Sequence, residues 1–84
     1  MKTAKQEANK TYLNIIKCLR AKRIALGYTQ AKLSYLSGIS KSVISKVERF
    51  NNIPQLDTII MMASALGLEM KLNDKRKNEQ ENKN

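Results

Sequence analysis

Eighty-four residues with a formal charge of +9, one cysteine, no histidine and no tryptophan leave room for one small domain with an aliphatic core. The single cysteine excludes an internal disulfide, and the lack of histidine excludes a Cys/His zinc site. No long apolar run marks a membrane span or signal peptide, so a soluble, cytoplasmic protein is expected. The charge is segregated. Residues 1–50 carry eleven Lys and Arg against Glu7 and Glu48, whereas residues 51–84 carry five cations and five acids. A net +9 confined to one half points to a polyanionic partner; a membrane-surface helix fits less well, because no Trp/Phe face accompanies the charge.

Residues 1–10 are polar, with little to anchor them, and are expected as a flexible arm or a frayed first turn, either free or touching a polyanion through Lys2 and Lys5. A helix follows from Thr11 to Leu26, with Ile15, Ile16, Leu19, Arg23 and Leu26 on one stripe. Cys18 lies within this apolar pattern and reads as a buried, inert thiol. Arginine in such a stripe requires a partner. Lys17, Arg20 and Lys22 fall off the stripe and read as solvated. Tyr28 and Tyr35 read as partial core or surface, not as stacking platforms.

The segment Thr29 to Glu48 reads as two short helices around a tight turn. Thr29 is a good N-cap, and Leu33 and Leu36 follow at helical spacing. Gly38 stops the first helix, since glycine takes a left-handed conformation at little cost. Ile39 plugs the corner, and Ser40 caps a second helix with Ile44 and Val47 inward. Its outer face carries Lys41, Ser42, Ser45, Lys46 and Arg49, side chains that let phosphates approach and base edges be reached. Two helices joined through a glycine turn, the second basic and polar, is the layout of a helix-turn-helix reader of the DNA major groove.

Phe50 to Pro54 is a connection, and a fourth helix covers Gln55 to Leu66, with Leu56, Ile59, Ile60, Ala63 and Leu66 inward and Gly67 after its end. Met61 and Met62 read as core filler or as a subunit contact. Leu68-Glu69-Met70-Lys71-Leu72 alternates apolar and charged residues, the pattern of a strand with one buried face. With no second strand in the sequence, the same strand of another copy is the natural partner. Residues 73–84, rich in Asn, Lys and Glu, are expected to be a disordered tail.

The segment LRAKRIALGYTQAKLSYLSGISKSVISKVE, with P-Q-L-D-T-I and A-L-G-L beyond it, resembles the phage-repressor (Cro-like, XRE) family over Leu19 to Leu72. The resemblance implies an all-α fold: a compact, lambda-repressor-like helix-turn-helix domain of four to five helices over residues 11–72, with one short C-terminal β-strand pairing across a dimer. It also implies roles for residues. Arg23 would reach Glu48 in a structural ion pair that sets the angle of the recognition helix, using arginine's bidentate geometry. Lys41, Ser42, Ser45 and Lys46 would meet base edges, lysine donating to guanine O6 and N7. Val43 would either touch a thymine methyl or pack on the preceding helix. Gln30 would contact phosphate or simply help cap its helix. Ser40 and Arg49 would contact phosphate, and in the connection that follows, apart from the resemblance, a backbone amide of Asn51 or Asn52 is a further candidate for phosphate. The family often carries a glycine soon after the glutamate, where this chain has Arg49 and Phe50, so the loop conformation is left open.

The alternating strand directly after helix 4 resembles HipB-type antitoxins, whose terminal strands, Leu68, Met70 and Leu72 here, pair across a homodimer. The implied function is a sequence-specific repressor of double-stranded operator DNA, the antitoxin of a HipBA-type module that regulates its own operon and binds a HipA-like Ser/Thr kinase toxin. The alternatives are a free-standing phage-type or chromosomal regulator, and a protein-interaction adaptor that has lost DNA binding; the charge segregation disfavours the adaptor. Without histidine, a Gly-rich phosphate loop or clustered carboxylates, no catalytic residues, metal or cofactor are expected.

Overall fold

The computed structural model describes residues 3–51 and 53–74. Among these residues the elements are four helices: α1 (Ala4–Ala25), α2 (Gln30–Ser37), α3 (Lys41–Glu48) and α4 (Leu56–Ala65). The fold is all-α.

α1 begins well before Thr11. Thr3 is an N-cap whose Oγ1 accepts from the Gln6 backbone N–H at 3.2 Å, while Gln6 Oε1 accepts from the Thr3 N–H at 2.9 Å. This reciprocal capping box satisfies two of the amides a helix start leaves unpaired. Residues 4–10, expected as a flexible arm, are therefore the first two turns of a 22-residue helix; Lys2 lies outside the described residues. These turns are fully exposed, so local capping holds them.

The core is aliphatic: Ile16 and Leu19 from α1, Leu33 from α2, Ile39 from the turn, Ile44 and Val47 from α3, and Ile59, Met62, Ala63 and Leu66 from α4 and its end. Tyr12, Ile15, Tyr28, Ala65 and Leu68 pack around it. α2 lies against both α3 and α4, and α1 crosses against α3.

Several expectations for the core are corrected. Cys18 is exposed: at 100° per residue it stands about 200° around the helix from buried Ile16, away from the core stripe. Leu26, in the turn after α1, and Leu36, in α2's last turn, are exposed at 41% each. In α4 the inward stripe is Ile59, Met62, Ala63 and, just past its end, Leu66, whereas Leu56 (67%) and Ile60 (47%) face outward. Met62 is fully buried and Met61 is 41% exposed, so the two methionines divide between core and surface.

α1, α3 and α4 end in the same way. Gly27, Phe50 and Gly67 occupy the left-handed region, at φ 74°, 61° and 76°. Each is followed by an amide reaching five residues back: Tyr28 to Arg23 at 3.0 Å, Asn51 to Lys46 at 3.0 Å and Leu68 to Ala63 at 2.8 Å. This is the Schellman closure, which satisfies carbonyls left open at a helix end. At the end of α3 a phenylalanine stands where the other two have glycine, at a conformational cost of about 1–2 kcal/mol.

Beyond Gly67, residues 68–74 carry neither helix nor strand pairing. Leu68 is half-buried against the core, Met70 is 40% exposed and Leu72 fully exposed. Met70, Lys71 and Leu72 line a shallow cleft with Leu56 and Ile60, not with Met61 or Met62. Leu72 is therefore not buried against α4 in the single chain. Residue 75 onward, most of the expected tail, lies outside the described residues.

Candidate nucleic-acid interface

The turn between α2 and α3 is set by short-range hydrogen bonds. Thr29 Oγ1 accepts from the Lys32 amide at 3.0 Å to start α2. Gly38, at φ 79°, ends it, its N–H bonding Ser34 O at 2.9 Å. Ser37 Oγ accepts from the Ile39 amide at 3.2 Å, and Ile39 is buried in the corner. Ser40 Oγ accepts from the Val43 amide at 3.3 Å and lies 3.4 Å from Ser42 Oγ. Each cap is a side chain with one acceptor at the right offset from an unpaired amide.

These caps orient α3 so that Ile44, Val47 and Glu48 face inward while Lys41, Ser42, Lys46 and Arg49 are exposed and Ser45 is half-buried. One face of α3 thus carries three cations and two hydroxyls with no acid. Val43 is 38% exposed beside this face. Arg49 Nε donates to Ser45 O at 3.3 Å, holding the guanidinium along the last turn.

Glu48 joins the parts. Arg23 Nε donates to Glu48 Oε2 at 2.7 Å and its Nη2 to Oε1 at 2.8 Å, a two-pronged pair, while Nη1 donates to Tyr28 O at 2.8 Å. Gln30 Nε2 donates to Glu48 Oε1 at 3.1 Å, and Arg20 Nε stands 3.9 Å from the same oxygen. The side chain of Glu48 is 3% exposed and that of Arg23 12%, so this is a buried pair with its hydrogen-bonding groups met. Burial pushes the Glu48 carboxyl up, but the hydrogen bonds from Arg23 and Gln30 and the charges of Arg23 and Arg20 outweigh it, holding the group below the usual carboxylate range. The hydrogen bond to Glu48 raises Arg23 against the opposing effect of burial, with the charge of Glu48 adding to it.

The other candidates fall as follows. Gln30 opens α2 with its amide committed to Glu48 rather than to its own cap, which Thr29 supplies. The Asn51 backbone amide bonds Lys46 O, so it is not available to a phosphate; this corrects the expected backbone contact. Asn52 lies outside the described residues. Tyr35 is 83% exposed, with Lys32 Nζ 5.9 Å from its ring centre. Arg20 was not expected near Glu48. The signal was there: Lys17, Arg20 and Arg23 recur every three residues and so share one side of α1.

The helix-turn-helix family model HTH_3 matches residues 19–72. The chain belongs to this helix-turn-helix family. It is 36% identical over 53 residues to an uncharacterized HTH-type transcriptional regulator of Haemophilus influenzae, covering 63% of this chain and 54% of the relative. The chain therefore spans about half the length of the relative it matches. No solved structure matches it. Among the described residues of this helix-turn-helix domain, no helix is long and apolar enough to cross a membrane, and no cluster of His, Cys, Asp or Glu is suited to hold a metal.

Replacing Glu48 by glutamine leaves Arg23 buried without a counter-charge, and should cost about 3 kcal/mol near neutral pH. Glu48 titrates lower in the folded than in the unfolded chain. Its contribution is thus fully present above the unfolded value of about 4.3 and is lost as pH falls through the lower folded value. Chemical denaturation at pH 7 and in steps below pH 4 should show the gap between wild type and Glu48→Gln closing. A gap independent of pH would mean that the charge on Glu48 is not its source.

Proposed function

We propose that the protein is a sequence-specific, double-stranded DNA-binding transcriptional regulator without catalytic activity. The observation that carries this reading is the outer face of α3: Lys41, Ser42, Ser45, Lys46 and Arg49, presented by a capped glycine turn and free of acids. Lys41, Ser42 and Lys46 meet base edges, with Ser45 beside them; Ser40, Arg49 and the N-terminus of α2 at Gln30 meet phosphates. Gln30 has a second amide hydrogen for a phosphate while the first remains on Glu48. The name of the Haemophilus influenzae relative agrees with this role.

We further propose a homodimer. Ile53, Leu56, Ile60, Met70 and Leu72 are exposed apolar side chains, and four of them flank or line the cleft beside residues 70–72. Leu68–Leu72 alternates apolar and charged residues and leaves its backbone groups without a strand partner among the described residues. A second copy related by a two-fold axis supplies that partner, covers Met70 and Leu72, and sets two recognition helices about 34 Å apart on operator DNA. This terminal segment also supports the narrower reading: a HipB-type antitoxin that represses its own operon and binds a HipA-like Ser/Thr kinase toxin. A free-standing regulator is the second reading, favoured by the relative's name. A kinase-like reading frame beside the gene separates the two.

Binding to a selected operator and to random duplex tests the DNA reading. Lys41→Ala or Lys46→Ala should lose about 1–3 kcal/mol on the operator and relax base preference, whereas Gln30→Ala or Arg49→Ala should weaken both duplexes alike. Equal losses on both duplexes for all four variants would remove the assignment of the reading face.

Truncation after Gly67 tests the dimer. Sedimentation at matched concentration should give a dimer for the full chain and a folded monomer for the truncated one. A truncated chain that remains dimeric would place the contact elsewhere.

A further inference from the structure

A cleft of about 550 Å³ lies between α1 and the end of α3, lined by Lys17, Arg20 and Ala21 on one side and Glu48, Arg49 and Phe50 on the other. Three cations converge on it. Its one carboxylate is already held by Arg23, so three cations against one shared acid leave the cleft lining with an excess of positive charge. The side chain of Arg20 is 56% exposed although its Nε stands 3.9 Å from Glu48, which leaves the guanidinium open to solvent. Lys17 and Arg49 are exposed as well.

Two features tie the cleft to the reading face of α3. Arg49 caps α3 and lies one turn beyond Ser45 on the same outer face, so a duplex strand following that face runs past the cleft mouth. Phe50, 44% exposed, forms the apolar wall while its backbone is held in the left-handed region, a sterically disfavoured place for a bulky residue. An aromatic wall beside clustered cations suits the alternation of sugar and phosphate in a nucleic-acid backbone.

We infer that Lys17, Arg20 and Arg49, walled by Phe50, clamp the DNA backbone beside the recognition helix and carry the contact onto α1. The inference rests on the DNA-binding reading and assigns roles to Lys17 and Arg20, which that reading leaves solvated. Both act as positioning cations: they contact phosphate and carry no base preference.

The test is fluorescence anisotropy of the full chain with a mixed-sequence 20-base-pair duplex between 50 and 200 mM salt. The slope of log K against log salt changes by about 0.9 for each phosphate released from neutralisation. Lys17→Gln/Arg20→Gln should flatten the slope by about 1 to 2. Lys22→Gln/Lys32→Gln, which removes the same charge from outside the cleft, should keep the wild-type slope. Circular dichroism on both variants checks that the helices persist. A steep wild-type slope that Lys17→Gln/Arg20→Gln leaves unchanged overturns the clamp and spares the DNA-binding reading. Equal flattening by both variants overturns it in favour of bulk charge. A poly-glutamate peptide that loses binding in the cleft variant, while the DNA slope stays unchanged, assigns the cleft to an acidic protein instead. A flat wild-type slope overturns both readings together.

Discussion

One buried carboxylate organises the helix-turn-helix unit. Glu48 projects inward from the last turn of α3 and receives Arg23 from α1 in a two-pronged pair and Gln30 from the first turn of α2. Arg23 uses its remaining arm on Tyr28 O, in the loop between α1 and α2. Three helices and one loop thus meet at a single side chain. A buried pair of this kind adds little net stability over an apolar replacement, because desolvation offsets most of the attraction. What it supplies is geometry, since planar, directional bonds fix the relative angle of the helices where aliphatic contacts tolerate sliding.

The proposed reading face inherits that geometry. Ile44 and Val47 bury α3 by one side, and Glu48 fixes its rotation, so Lys41, Ser42, Ser45, Lys46 and Arg49 point outward together. The end of α3 is also where the backbone is strained. Gly27 and Gly67 close their helices in the left-handed region without cost from a side chain; Phe50 does the same with a full ring beside the basic cleft. Strain of this sort persists where the surroundings enforce it and clusters at functional places.

The turn was legible in the sequence because its signals are local and tied to residue type. Thr29, Gly38 and Ser40 each satisfy or spare a backbone group within a few residues. The capping box at Thr3 and Gln6 is just as local, but it starts a stretch with no buried residue, so apolar periodicity gave no helix there. In α4 the run Ile59-Ile60-Met61-Met62 is apolar all round, which leaves the rotational phase open, and Met62 took the core place expected for Ile60. Phe50 gave no sign of its left-handed backbone, because that position is set by the closure of α3 and not by its own preference. The alternating pattern at Leu68–Leu72 has no strand pairing among the described residues, so the same apolar spacing that marked a strand leaves Leu68 on the core and Leu72 exposed.

The most direct test of Glu48 as the orienting group replaces the whole pair. Arg23→Met/Glu48→Leu removes both charges while keeping apolar volume, and is measured for unfolding free energy and for operator against random-duplex affinity. If the pair supplies geometry, stability stays within about 1 kcal/mol of wild type or rises, while the operator's advantage over random DNA falls. A double variant that folds as well as wild type and keeps its full discrimination would contradict the account.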